Sequence, residues 1–173
     1  MLTHPAPGNL DGVLRIDQEI VAAIVAHARR DHPDEACGVV AGPVGSDHPT
    51  RLIPMDNAER SSTFYRFDSM EQLRVWREME DLGEEPVVIY HSHTATEAVP
   101  SRTDVDLAGE PGAHYLLVST RVPGTTEIRS FRIVAGVVTE EPVRVVGATV
   151  DGTAVQSYKF GHTPTMVDYE CRA

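Results

Sequence analysis

Cysteine is scarce in this 173-residue chain, which contains only Cys37 and Cys171. The two lie far apart and form no C-x2-C unit, which argues against a zinc knuckle. We expect both to be free thiols in a cytoplasmic protein. A catalytic Cys37 paired with a histidine is an alternative, although Cys37 opens the apolar run 37–41, which is typical of a buried strand.

Basic side chains are also few, with 15 lysines and arginines against 26 aspartates and glutamates and a formal net charge of -11. Such a surface repels phosphate backbones, which argues against nucleic acid as a partner. No apolar stretch is long enough to span a bilayer, so no membrane association is expected. The first residues show neither the basic nor the apolar region of a signal peptide.

The composition is that of a globular protein, with 41% hydrophobic and 24% charged residues. Its length favours a single domain. We predict a loose Pro- and Gly-rich arm over residues 1–12, one domain over residues 13–147, and a C-terminal tail of unknown role over residues 148–173. The sequence leaves the oligomeric state open.

Hydrophobic periodicity predicts several strands and two sizeable helices. The first helix follows a cap at Asp17 and ends before Pro33. The second follows a capping box formed by Ser69 and Gln72 and ends at Gly83, with a buried face made by Leu73, Trp76, Met79 and Leu82. A short helix covers 101–108, and the strands cover 14–16, 37–41, 51–55, 63–67, 86–90, 114–118, 127–134, 137–140 and 143–146. This mixture indicates an α/β (α+β) sandwich with helices on a mostly antiparallel sheet.

The pattern H-S-H-x7-S-x2-D, from His91 to Asp104, follows directly on the strand at 86–90. His91 and His93 point to one side because side chains alternate along a strand. With Asp104 they offer three ligands to a divalent metal, and three protein ligands leave the open position of a catalytic zinc. The pattern therefore points to hydrolysis. Ser101 and Asp104 also fit a helix N-cap and its third residue, and both roles can coexist.

Hydrolysis of an amide also needs a base, and Glu35 is the candidate. It lies where the first helix gives way to the buried strand at 37–41, a junction that can project a side chain into a cleft. A carboxylate beside the attacking water can remove its proton and deliver it to the leaving nitrogen. The alternative is an ordinary solvated glutamate.

Glu35 together with H-S-H-x7-S-x2-D resembles the signature of the JAMM (MPN+) metalloprotease family, and the resemblance extends from about residue 14 to residue 146. It implies the cytidine-deaminase-like JAMM/MPN fold, a curved sheet flanked by helices. It also implies that His91, His93 and Asp104 bind one Zn2+ per chain, that Glu35 is the general acid/base, and that Ser101 steadies the oxyanion. Thr94 departs from the proline that many members have there, which weakens any transfer of ubiquitin-type specificity.

Residues 28–39 and 90–98 look closest to an actinobacterial subgroup of this family, the Mec-type hydrolases. The resemblance implies cleavage of the C-terminal Gly–Cys amide of a small ubiquitin-like sulfur-carrier protein ending in Gly-Gly. The products would be L-cysteine and the regenerated carrier, as in cysteine biosynthesis. Two alternatives stay open: a JAMM isopeptidase or peptidase that trims another ubiquitin-like carrier or conjugate, and a non-catalytic MPN scaffold.

Residues that recognise the substrate are less well indicated. Arg66 and Arg102 are weak candidates for meeting the carboxylate of the released cysteine, because arginine suits bidentate recognition. Either can equally be an ordinary surface charge. The stretch 57–67 can form a flap over an extended Gly-Gly tail or a plain surface loop.

Overall fold

The computed structural model describes residues 12–147 and the backbone of residues 158–160. Three helices are present in this part of the chain: α1 (Gln18–Asp31), α2 (Ser69–Leu82) and α3 (Arg102–Leu107). The strands are β1 (Leu14–Asp17), β2 (Cys37–Pro43), β3 (Arg51–Met55), β4 (Glu84–His93), β5 (His114–Ser119), β6 (Thr126–Val134), β7 (Val137–Glu141), β8 (Val143–Val146) and β9 (Tyr158–Phe160).

Almost all of the predicted arm and tail lie outside the described residues. No described helix combines the length and the apolar character that crossing a membrane would require.

The main sheet has the strand order β3-β2-β4-β5-β6-β7, with β9 pairing to β6. Pairing is antiparallel except between β4 and β5 and between β6 and β9, so the sheet is mixed but mostly antiparallel, as predicted. Strands β1 and β8 form a separate parallel pair. The predicted α+β sandwich is confirmed.

The central strands of the main sheet carry apolar residues on both sides, and a hydrophobic cluster covers each face. One hydrophobic cluster joins α1, β1 and β8 to Val40, Val88 and Leu116. The other joins α2 to the alternate positions Ile89 and Leu117. The alternation places His91 and His93, which continue from Ile89 at steps of two, on the face covered by α2. The fold thereby directs both imidazoles to one side at the carboxyl end of the central strand β4.

Three sequence predictions about local structure were wrong, the third of them only in part. The segment 63–67 is not a strand, and only an isolated bridge joins Phe67 to Asn57. Helix α2 is capped by Asp68, whose side chain accepts from two backbone N–H groups, rather than by a Ser69–Gln72 capping box. The predicted buried face was only partly right. Met79 is buried and Trp76 packs partly buried against the same cluster, but Leu73 and Leu82 are 44% and 60% exposed, and the helix also buries Val75, which was not predicted.

Candidate metal centre

The two histidines predicted as ligands lie at the carboxyl end of β4 with their Nε2 atoms 3.1 Å apart. Each Nε2 atom also lies 3.4 Å from an oxygen of Asp104, Oδ1 for His91 and Oδ2 for His93. Two donors on a tetrahedral zinc with bonds of about 2.0–2.1 Å are about 3.3–3.4 Å apart. The spacing of these three side chains therefore fits one zinc ion with a fourth position left for another ligand.

Asp104 reaches this position from the first turn of α3. The Ser101 hydroxyl accepts from the Asp104 backbone N–H, and the Ser101 backbone N–H donates to Asp104 Oδ2 at 2.6 Å, which completes a capping box. The predicted cap is thus present, and it is compatible with a ligand role for Asp104 because it fixes the carboxylate in the direction of the histidines. The Ser101 hydroxyl proton is not used by the cap and can donate to a bound oxygen.

The electrostatics of two of the three ligands, His91 and Asp104, favour metal binding over protonation at neutral pH. For His93, burial alone would lower the pKa, but hydrogen bonds with Asp104 and the Glu97 backbone raise it. Burial lowers the pKa of His91, which keeps that imidazole neutral. Burial alone would raise the pKa of Asp104, but hydrogen bonds from His91 and His93 hold it well below its usual range. A neutral imidazole and an ionised carboxylate are the forms that bind a metal.

Glu35 lies opposite His93, on the same side of the sheet. The pairing of Cys37 with His91, and the bond from the Ser92 N–H to the Ala36 carbonyl, extend the β2–β4 register towards Glu35 and His93. The Glu35 side chain is buried, and this burial raises its pKa to about 7, with the charge of His93 opposing the shift. A carboxyl with such a pKa can both accept and return a proton near neutral pH, as a general acid/base must.

The segment from Asn57 to Phe67, which we call the wall segment, lies against this site. The Asn57 Nδ2 donates to the Glu35 carbonyl at 3.0 Å, and the Glu35 N–H donates to the Ser61 carbonyl at 2.8 Å. The Thr94 hydroxyl donates to the Ser62 carbonyl at 3.0 Å. The wall segment is therefore bonded to the backbone of the candidate base and to the residue that follows the second histidine.

Tyr65 of the wall segment stacks on the His91 ring, with centroids 4.4 Å apart and planes inclined by 23°. The sequence pointed to 57–67 as a flap or a surface loop, with a strand at 63–67, and did not single out Asn57, Tyr65 or Thr94 as contacts of the site. An asparagine and an aromatic ring in a loop carry no spacing signal of their own. The flap over a Gly-Gly tail stays a prediction.

The remaining candidates, Arg66, Arg102 and Cys37, show no side-chain hydrogen bond or ion pair with the three ligands in the part of the chain that the structure describes. The exposed Arg66 forms an ion pair with Glu59 of the same segment. The side chain of Arg102 is 95% exposed and lies 3.8 Å from Asp106. Cys37 is a buried free thiol whose pKa is raised by burial, so it lacks the thiolate character of a nucleophile.

The raised pKa of Glu35 predicts that the free energy of unfolding of the metal-free protein depends on pH. Between about pH 4.5 and 7 the folded chain retains a proton that the unfolded chain releases, so stability falls as pH rises through this window. In chelator at pH 8, Glu35→Gln should therefore be more stable than the wild type by on the order of 3 kcal/mol, since the pKa rises from 4.5 to about 7 and one pKa unit is about 1.4 kcal/mol. The difference should vanish at pH 4.5.

Urea unfolding of both proteins at the two pH values measures this difference. Glu80→Gln, which removes the same charge from the exposed side of α2, is the matched control and should show no such dependence. A stability difference between Glu35→Gln and the wild type that does not change with pH would contradict the assignment.

Comparison with known proteins shows which family this chain belongs to. Residues 17–134 match the family described as prokaryotic homologs of the JAB domain. The CysO-cysteine peptidase of Mycobacterium tuberculosis (strain H37Rv) is 74% identical over 134 residues, which are 78% of this chain and 92% of that peptidase. A desampylase of Haloferax volcanii is 36% identical over 102 residues, which are 56% of this chain and 73% of the desampylase.

A solved structure gives the same answer for the fold. The solution structure of protein DSY2949 from Desulfitobacterium hafniense superimposes with a TM-score of 0.66 at 32% identity. The match covers 76% of this chain and 90% of that one. All five candidate site residues, from Glu35 to Asp104, fall inside the range that matches the family.

Proposed function

Because this chain belongs to the family of prokaryotic homologs of the JAB domain, we propose that it is a zinc hydrolase that releases L-cysteine from a ubiquitin-like sulfur-carrier protein. The bond cleaved is the C-terminal Gly–Cys amide, and the product carrier ends in Gly-Gly. The observation that carries the proposal is the convergence of three metal-ligand atoms on one point beside a buried glutamate. The 74% identity to a CysO-cysteine peptidase supports the substrate.

His91, His93 and Asp104 would hold the ion. When bound there, zinc supplies a Lewis acid that polarises the amide carbonyl and lowers the pKa of a water to about 7. These three side chains contribute one negative charge between them, so much of the charge of a divalent cation is left to act on the substrate. The burial of both imidazoles strengthens this effect, because charges interact more strongly where water is excluded.

Glu35 transfers a proton from the attacking water to the leaving nitrogen. As a carboxylate it accepts a proton from the water that attacks the glycine carbonyl, and the acid so formed donates the proton to the departing cysteine nitrogen. A pKa near 7 suits both transfers, because neither form of the side chain is then strongly preferred. The bonds to both the N–H and the carbonyl of Glu35 fix its backbone, which limits the positions its side chain can take.

Ser101 stabilises the charge that develops on the substrate carbonyl oxygen. Its hydroxyl accepts from the Asp104 N–H, and this bond leaves the hydroxyl proton available to donate to the substrate. A donor held in place before the reaction costs no reorganisation in the transition state. Loss of a single donor of this kind typically lowers kcat by about 10²–10³-fold.

The proposal is tested with a carrier that ends in Gly-Gly-Cys, incubated with the zinc-loaded protein and followed by intact mass spectrometry. Loss of one cysteine residue, blocked by a chelator and restored by zinc, is the expected result. The same carrier ending in Gly-Gly-Ala tests recognition of the cysteine, and a carrier joined to a lysine side chain tests for an isopeptidase. Cleavage of the lysine conjugate alone would support the isopeptidase, and cleavage of none would support a scaffold.

A further inference from the structure

The two histidines differ in how their second nitrogen is supported. The Nδ1 of His93 donates to the Glu97 carbonyl at 2.8 Å and lies 3.1 Å from the Thr96 hydroxyl. The Nδ1 of His91 is buried and has no hydrogen-bond partner within the described residues. Metal-binding histidines almost always donate this second N–H to an oxygen, which fixes the plane of the ring. His91 therefore needs another restraint on its orientation.

A ring that packs on the face of His91 supplies that restraint. Tyr65 lies over it at a centroid distance of 4.4 Å and an angle of 23°, which is a stacked arrangement. Stacked aromatic pairs add about 0.5–1.5 kcal/mol beyond the area that they bury. Rotation of His91 about its Cβ–Cγ bond would tilt the ring into Tyr65, so the stack opposes the same motion that a hydrogen bond at Nδ1 would oppose.

Tyr65 can act in this way because its own backbone is fixed. On one side of it, the Phe64 carbonyl accepts from Asn57 Nδ2 at 3.0 Å. On the other, the Arg66 N–H donates to Asn57 Oδ1 at 3.2 Å. The ring of Phe67 packs edge-on against the Tyr65 ring at 5.7 Å. One asparagine side chain thus bonds both peptide neighbours of Tyr65 and holds its ring in position.

We propose that Tyr65 is a positioning residue for the metal ligand His91, and that its aromatic face does the work that a hydrogen bond does for His93. The inference rests on the proposed function only in that it takes His91 as a zinc ligand. It adds that the wall segment contributes to metal affinity through its ring, without coordinating the ion.

The test compares zinc dissociation constants, measured by competition with a chromophoric chelator in the absence of any substrate. Tyr65→Leu removes the aromatic face and should weaken zinc binding by about 2–12-fold, the change in dissociation constant that corresponds to a stacking free energy of about 0.5–1.5 kcal/mol. Tyr65→Phe keeps the face and should bind zinc with the affinity of the wild type. Phe64→Leu changes the neighbouring ring and is the matched control, with wild-type affinity expected.

A second variant guards against misfolding. Tyr65→Met keeps apolar bulk but has no planar face, so it should weaken zinc binding as Tyr65→Leu does. Far-UV circular dichroism and the Tm of the metal-free proteins identify any variant that does not fold. With Co2+ in place of zinc, the visible absorption bands should change shape in both variants if the His91 ring is misoriented, which a general loss of stability would not produce.

Two results would overturn the inference. Wild-type zinc affinity in folded Tyr65→Leu or Tyr65→Met would show that the aromatic face is dispensable. An equal loss in Tyr65→Phe would assign the effect to the hydroxyl group instead. Failure of the proposed function is distinguishable from both, because a wild-type protein that binds no zinc would overturn the two proposals together, whereas equal zinc binding by wild type and variants overturns only this one.

Discussion

Glu35→Gln should lower the rate of Gly–Cys cleavage by about 10²–10⁴-fold, the range that general acid–base catalysis contributes. Glutamine has nearly the same shape as glutamate, but it can neither accept a proton from water nor return one to the leaving nitrogen. Because the three proposed ligands are unchanged, zinc affinity should stay close to that of the wild type. Single-turnover kinetics on the carrier–cysteine adduct, with zinc content measured on the same sample, checks both parts.

The control for this prediction is again Glu80→Gln, which should retain wild-type kinetics because its side chain lies on the exposed face of α2. Wild-type rates in Glu35→Gln would remove the base from the mechanism. Loss of zinc together with loss of rate would instead assign Glu35 to the metal, as a ligand rather than a base. The same variant is expected to be stabilised in the metal-free state above pH 7, so catalysis and stability should move in opposite directions.

This opposition between catalytic rate and stability of the metal-free protein has a structural cause. A solvated glutamate would be ionised at neutral pH without cost, but it would be a weaker base and would be surrounded by water. Placing Glu35 in the buried stretch just before β2 raises its pKa to about 7 and brings it beside the ligands. Residues at catalytic sites often carry such a cost, and the remainder of the fold compensates for it.

Periodicity was sufficient for most of the fold, because the central strands and α1 are regular and bounded by clear breakers. It failed for α2, where the predicted stripe used a spacing of three residues. At 3.6 residues per turn, Leu73 and Leu82 lie about 180° apart around the helix and cannot share a face. Val75 and Met79, four residues apart, lie on one side and are the residues that α2 buries.

Residues 63–67, which form the second half of the wall segment, were mistaken for a strand for a different reason. Thr63, Tyr65 and Phe67 alternate with other residues at a period of two, the spacing of a strand. The backbone groups of the wall segment are instead bonded by the side chains of Asn57, within the segment, and of Thr94, outside it. Such side-chain bonds leave no period in the sequence, so they overrode the strand pattern.

Sequence spacing predicted those parts of the candidate site whose geometry depends only on the local strand or helix. A strand brings His91 and His93 to one side whatever the fold, and a helix cap fixes Asp104 relative to Ser101. That α3 would direct Asp104 towards the histidines, and that β2 would bring Glu35 opposite His93, depends on long-range pairing. The resemblance to the JAMM family supplied those two relations, and the family is confirmed by the match over residues 17–134.

Asp104→Asn should separate the two tasks of this side chain. Asparagine retains an oxygen that can accept from the Ser101 N–H, so α3 should stay capped, but it lacks the negative charge that makes the carboxylate a strong ligand for a divalent cation. If three ligands share a zinc-binding free energy of about 10–16 kcal/mol, losing one costs about 3–5 kcal/mol, or about 10²–10⁴-fold in affinity. Asp106→Asn, the same change at an exposed position of the same helix, should leave affinity unchanged.

Thermal unfolding gives an independent measure of the same loss. Zinc at 100 times its Kd stabilises a folded protein by about 2.7 kcal/mol, which for a domain of this size corresponds to a rise in Tm of about 5–10 °C. The wild type and Asp106→Asn should show this rise, and Asp104→Asn should show a rise of no more than about 2 °C at the same zinc concentration. An undiminished rise in Asp104→Asn would exclude the carboxylate as a ligand and leave two imidazoles, which is too few for the proposed centre.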